Sequence, residues 1–126
     1  MDAAIAIPTN DGDVLDIIWG GIGIIDGISQ GYIGMEVSKY GRTTRFTNGS
    51  IQLSNATVMV GYGGNKVARF DNQFVTGGDM SAGGDSGSIV VEKGTTKAVG
   101  LLFAGSDQST IFSPIDAVLN ALELEF

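Results

Sequence analysis

Twenty of the 126 residues are glycine, more than twice the roughly 7% of an average protein, and they stand singly or in pairs between short apolar runs. Glycine weakens helix interiors, and in strands it marks turns, bulges and close backbone approaches. A chain interrupted this often cannot build long helices. It suits many short strands joined by tight turns. With 43% hydrophobic residues it can still bury a core, and its length matches one domain.

Reading along the chain gives strand-like segments at residues 3–7, 14–18, 22–28, 34–39, 50–54, 57–62, 66–70, 73–75, 88–92, 97–103 and 109–112. Within 34–39, Met35 and Val37 alternate with Glu36 and Ser38, as on a half-buried strand. The dipeptide Asn48-Gly49 and the stretches 10–13, 61–66 and 93–96 carry turn chemistry. Residues 114–124 form the one helical segment, with Ser113 as expected N-cap, Pro114 at the first position and Asp116 in the first turn. Ile115, Val118, Leu119 and Leu122 fall on one of its faces. The picture is a single small β-barrel or sandwich ending in a helix.

Charge and missing residue types narrow the chemistry. A net charge of −7 disfavours nucleic acid, whose phosphates need clustered Lys and Arg. The most apolar run, residues 17–25, is closed by Asp16 and Asp26 and falls short of the roughly 20 residues a bilayer span requires. No membrane span is expected. There is no cysteine, hence no disulfide or thiolate site. There is no histidine either, which removes the usual general base and the commonest transition-metal ligand. Asn10-Asp11-Gly12-Asp13 with Asp16 lacks the closing Glu of a calcium loop. Residues 61–66 lack the Gly-Lys-Ser/Thr ending of a phosphate loop. No metal or cofactor is expected. The start Met1-Asp2-Ala3-Ala4 has no basic stretch, so no secretory leader is expected; the compartment stays unassigned.

The strongest local signal is Gly83-Gly84-Asp85-Ser86-Gly87-Ser88. A nucleophilic serine needs an exposed hydroxyl on a sharp turn and backbone N–H groups converging on the developing oxyanion. Glycines on both sides of Ser86 permit that turn, and the N–H groups of Gly84 and Ser86 can form the oxyanion hole. An ordinary glycine-rich β-turn is the competing reading. The strands that follow tip the balance. The stretch GGDSGSIVVEKGTTKAVGLLFAG, with residues 37–49 (VSKYGRTTRFTNG) before it and 112–122 after it, resembles the C-terminal barrel of the chymotrypsin-like serine proteases, bacterial type. The resemblance covers most of residues 34–122. It implies an all-β fold: a six-stranded antiparallel β-barrel like the C-terminal half of such a protease, with a C-terminal helix.

By that resemblance residues 34–126 form the barrel and helix, and residues 1–33 an inter-barrel segment. The segment begins on Asp2, in Asp2-Ala3-Ala4-Ile5-Ala6, which looks like the surroundings of the triad aspartate. A solvated terminal residue is the plain alternative for Asp2. Ser86 is the expected nucleophile of a peptide-bond hydrolase, Gly84 and Ser86 its oxyanion donors, and Asp2 the acid that orients a histidine. Six residues before the nucleophile, Met80 is expected at the base of the substrate pocket, walled by Phe103, Ala104 and Gly105. Such an apolar base argues against a basic-residue preference and for an apolar substrate side chain. Asp79 takes the base if the loop shifts by one. The sequence departs from the family at Arg45, where glycine is usual, and in having no histidine.

The expected consequence is a fragment, inactive by itself, whose partners are a peptide or protein substrate and an N-terminal barrel half bearing the histidine. A lone half exposes its apolar face, chiefly residues 3–7 and 14–28 with Trp19, and is expected to self-associate. Two other readings stay open: a degenerate protease-fold module used for binding or assembly, and a self-cleavage product.

Overall fold

The computed structural model describes residues 1–10, 12 and 14–126; the acidic turn expected at 10–13 therefore lies partly outside the described residues. Eight strands and one helix follow in the order β1 (Gly27–Ile28), β2 (Glu36–Gly41), β3 (Arg45–Ser50), β4 (Leu53–Gly61), β5 (Val67–Gly77), β6 (Ile89–Glu92), β7 (Lys97–Gly105), β8 (Ser109–Pro114) and α1 (Ile115–Leu122), with a 3-10 turn at Gly78–Met80. The sheet order is β3-β2-β6-β7-β8-β5-β4, antiparallel throughout, and β1 adds in parallel to β7.

The two ends of this order are halves of one bent ribbon. The Ile51 N–H donates to Met35 O at 2.9 Å, continuing the β2–β3 ladder, while the next N–H, of Gln52, donates to Val75 O at 2.8 Å and begins the β4–β5 ladder. The ribbon changes partner between those two residues, and the sheet closes on itself. Six strands thus form the ring: β2, the β3–β4 ribbon, β5, β8, β7 and β6. The count of eight rather than six comes from that split and from the two-residue β1.

Inside the ring, Met35, Val37, Ile51, Phe74, Met80, Val90, Val99, Leu102 and Phe112 form one buried cluster. The Phe74 and Phe112 rings lie 5.3 Å apart, centroid to centroid. Burying large apolar side chains on one shared face is the main stabilising term for such a barrel. The short apolar segments of 88–92 and 97–103 supply much of it, and they form β6 and β7 near their expected bounds.

Three local expectations are corrected. Asn48-Gly49 is not a turn: it lies inside β3, opposite Val37 and Ser38, because the hairpin reverses earlier, over residues 42–44, with Arg45 at φ +60°. Ser113 does not cap the helix. Pro114 is the N-cap, and the buried Ser113 hydroxyl donates to Gln73 Oε1 at 2.8 Å instead. The apolar stretch before residue 27 contains, among the described residues, only the isolated bridge Ile18–Gly23, since its glycines leave no unbroken alternation to pair.

Candidate active site

The Ser86 turn hangs between the 3-10 turn and β6. Its conformation is fixed from beneath by Asp85, whose side chain is fully buried. Oδ1 of Asp85 accepts from the N–H groups of Thr43 at 2.7 Å and Thr44 at 3.1 Å. Oδ2 accepts from the Thr44 hydroxyl at 2.6 Å and the Ala82 N–H at 3.0 Å. The ammonium of Lys39, also buried, stands 3.7 Å from Oδ2 and donates to Thr44 Oγ1 and to Arg45 O. Burial alone pushes the Asp85 carboxyl up, but the hydrogen bonds from Thr44 and from the Ala82, Thr43 and Thr44 amides hold it well below the usual carboxylate range. Burial pulls the Lys39 ammonium down, against the pull of the Asp85 charge.

This anchor clamps the loop after β2 to the turn before β6. A further bond from Thr43 Oγ1 to Gly83 O, 2.7 Å, fastens the same two loops. On the other side the Gly87 N–H donates to Leu102 O at 2.7 Å and the Leu102 N–H to Ser88 O at 3.0 Å, which fixes the turn to β7. Gly84 sits between these clamps with φ +100°, and a Cβ there would lie 2.4 Å from Thr43 Oγ1. Only glycine adopts that backbone without strain.

With Asp85 turned inward, Ser86 is exposed. Its hydroxyl donates to Phe103 O at 3.3 Å. The N–H groups of Gly84 and Ser86 donate to no protein acceptor among the described residues. An accessible hydroxyl beside two free amides in a rigid turn is an arrangement suited to receiving an oxyanion. No base stands beside it: no histidine exists in the chain, and no carboxylate among the described residues bonds to the Ser86 hydroxyl.

Ser86 opens onto a cleft of about 630 Å³ lined also by Tyr62, Asp79, Ser81, Phe103, Ala104, Gly105 and Asp107. The three wall residues expected from sequence, Phe103, Ala104 and Gly105, line it. Met80 does not, and its assignment to the pocket base is corrected. Its side chain is fully buried in the barrel core, where Sδ accepts from the Thr76 hydroxyl at 3.3 Å. The 3-10 turn rotates Met80 inward and leaves the preceding residue, Asp79, on the cleft. Asp2 is exposed, and its carboxylate accepts a 2.7 Å hydrogen bond from the Tyr62 hydroxyl, which raises the Tyr62 pKa. It is brought to the cleft through Tyr62 and is not bonded to Ser86.

Lys39, which anchors Asp85, is one of the residues around the site that the sequence analysis does not assign. The signal is present: Val37 and Lys39 in β2, with Met35 just before it, share one parity, so an alternation that buries the first two apolar side chains buries Lys39 as well. Tyr62 and Asp107 carry no such signal, since both enter the cleft from turns.

No family model and no curated relative matches the sequence. Solved structures do. A glutamic acid-specific serine protease, described as using a histidine triad in substrate binding, is similar over 89% of this chain and 60% of its own, with 27% identity and a TM-score of 0.68. Thermobifida fusca protease A is similar over 83% of this chain and 55% of its own, with 25% identity and a TM-score of 0.67. For a Nocardiopsis protease the shares are 79% and 52%, with 26% identity and a TM-score of 0.65. The chain thus spans between 52% and 60% of the length of these structures. Its closed ring of strands and terminal helix are the fold of a barrel half of the bacterial chymotrypsin-like serine proteases.

Proposed function

We propose that the chain is the nucleophile-bearing half of a serine endopeptidase. Ser86 attacks the scissile carbonyl, and its proton passes to a histidine supplied from outside these 126 residues, either by a longer chain or by a second one. The N–H groups of Gly84 and Ser86 hold the oxyanion. The histidine then protonates the leaving amine, and water releases the acyl group from Ser86 by the reverse proton path. Asp2 orients the histidine, exchanging its bond to Tyr62 for one to the imidazole. Residues 1–33, which carry most of the exposed large apolar side chains, pack against the half that bears it.

The observation that carries this reading is the exposed Ser86 hydroxyl beside two unbonded amides, held there by a buried carboxylate. The chemistry also predicts that the chain alone is nearly inert. A serine hydroxyl is a weak nucleophile without an adjacent base, and losing one triad member leaves a residual acceleration on the order of 10³–10⁴ over water.

Fluorophosphonate labelling tests it. Labelling of Ser86 should be slow in the chain alone, fast once a histidine-bearing half is supplied, and absent in Ser86→Ala. Rapid stoichiometric labelling of the chain alone would refute the need for an external base. No labelling in the complemented protein would leave a binding or assembly module as the better reading.

A further inference from the structure

Of the two ends of the sheet order, one is covered and the other is bare. The β3 end lies against the 3-10 turn: the Thr47 hydroxyl donates to Met80 O at 2.6 Å, and a Cβ on Gly49 would lie 2.9 Å from Met80 Sδ. β4 pairs with β5 alone. The Tyr62 N–H donates to Lys66 O at 2.9 Å, so Gly61, opposite Val67, belongs to a pair without ladder bonds. By the antiparallel alternation the same holds for Met59 and Thr57, and the backbone N–H and C=O groups of all three point away from β5. None of these groups meets a protein partner among the described residues. Thr57, Met59 and Gly61 are exposed, and a Cβ on Gly61 would meet nothing within 4 Å.

A bare strand edge recruits another strand, and the character of β4 says which one. Residues 46–65 hold no charged side chain, the longest such run in a chain of net charge −7. Across from β4, Arg69 and Asp71 of β5 pair with each other at 3.0 Å. Two copies therefore meet here without the like charges they oppose to one another elsewhere. The strand is also close to symmetric about Met59, reading Thr57-Val58-Met59-Val60-Gly61, and its outward groups fall on alternate residues centred there. A two-fold interface needs a surface complementary to itself. Two antiparallel β4 strands about an axis at Met59 set Met59 opposite Met59 and Thr57 opposite Gly61, with each outward N–H facing an outward C=O.

We propose that β4 is the interface of a two-fold dimer, in which two copies of this chain join edge to edge through residues 57–61 into one continuous sheet. About six main-chain hydrogen bonds form, two for each facing pair. The pairing depends neither on the peptidase reading nor on the apolar surface of residues 1–33. Val60, Gly61 and Tyr62 also line the cleft beside Ser86, so the strand that joins the copies borders the cleft of each.

The chain has no cysteine, so single cysteines report the register. Residues facing each other in such a pair have Cα atoms about 5.5 Å apart, within disulfide reach. Each variant also carries Trp19→Ser, which suppresses association through residues 1–33. Treated with diamide, Met59→Cys should form a disulfide-linked dimer about tenfold faster or more than Thr57→Cys, whose two thiols stand more than about 13 Å apart in this register. A mixture of Thr57→Cys and Gly61→Cys should cross-link as readily as Met59→Cys. Met59→Lys brings two ammonium groups together at the axis and should weaken the dimer about tenfold or more in sedimentation velocity, with an unchanged circular dichroism spectrum. Equal cross-linking of Met59→Cys and Thr57→Cys, or a dimer affinity unmoved by Met59→Lys, would overturn the two-fold pairing. A Trp19→Ser chain that stays monomeric to millimolar concentration would overturn it too and give the edge to a strand of a different protein.

Discussion

The carboxylate of Asp85 and the ammonium of Lys39 face each other at 3.7 Å with neither side chain exposed to solvent. Asp85 is the residue immediately before the candidate nucleophile, and Lys39 lies in β2, 46 positions earlier in the chain. The contact therefore ties the position of Ser86 to the barrel wall. Thr44 completes it, its hydroxyl donating to Asp85 and accepting from Lys39. Every buried side-chain N or O atom among the described residues has a partner, as a low-dielectric site requires.

Removing one member of such a pair leaves a buried charge without its counterpart, which costs about 3–5 kcal/mol. Lys39→Met should lose stability of that order in urea unfolding. Adding Asp85→Asn to Lys39→Met should cost less than the sum of the two single changes, because the second removes the charge that the first left stranded. A Lys39→Met variant within half a kcal/mol of the parent would show that the four hydrogen bonds to Asp85 suffice alone.

The same carboxylate sets an acid limit. Its folded pKa is depressed, while the unfolded value is near 3.9. Below about pH 4 the unfolded chain therefore takes up a proton that the native state excludes, and stability falls as the pH drops toward the folded pKa. Above the unfolded value the contribution is fully present. Unfolding free energy measured between about pH 5 and 2.5 should show this decline, and Asp85→Asn should flatten it from a lower starting stability. An equally steep decline in Asp85→Asn would assign the acid limit to other carboxylates.

How far the sequence foretold this arrangement depends on what each feature is made of. β6, β7 and the terminal helix were legible because their signals are local: runs of β-branched and apolar residues, and an amphipathic period. The Ser86 turn was legible because small residues are needed at fixed offsets there. Met80 was misplaced because its direction depends on where a three-residue 3-10 turn starts, and counting back from Ser86 cannot supply that. Asn48-Gly49 was misread as a turn because the β3–β4 ribbon is held by partners from elsewhere in the chain, through Met35 and Val75. Such long-range pairing overrides a dipeptide preference. Asp107 reaches the cleft only through contact between two turns, which no local pattern encodes.

Gly84 permits a test of the oxyanion arrangement that leaves the hydroxyl in place. Alanine there must accept φ +100° and bring a methyl group to 2.4 Å from Thr43 Oγ1 and 2.7 Å from the Arg42 guanidinium. The turn has to shift, and the Gly84 N–H with it. Losing one oxyanion donor costs about 10²–10³ in rate. Gly84→Ala should therefore slow fluorophosphonate labelling of the complemented protein by about that factor. Strain of about 1–3 kcal/mol at one exposed turn should leave the circular dichroism spectrum unchanged. Labelling at the parent's rate would mean that the Gly84 amide takes no part.

The last prediction concerns the surface along residues 1–33. Ile7 is 92% exposed and Trp19 68% exposed, and Ile5, Val14, Leu15, Ile24 and Ile33 are exposed as well. The barrel core draws almost nothing from this stretch, with Ile22 its one buried large apolar side chain among the described residues. Monomeric proteins seldom leave a contiguous apolar patch of more than a few hundred Å² uncovered. A solution of the chain alone should therefore associate through this region. Covering one large apolar side chain contributes about 1.5–3 kcal/mol, so Trp19→Ser should weaken association about tenfold or more without unfolding the barrel. Sedimentation velocity across a hundredfold range of concentration reads this directly, and Trp19 fluorescence should shift to the blue as the ring leaves water. A single monomeric species throughout, with Trp19 emission typical of exposed indole, would show that these side chains stay hydrated without a partner.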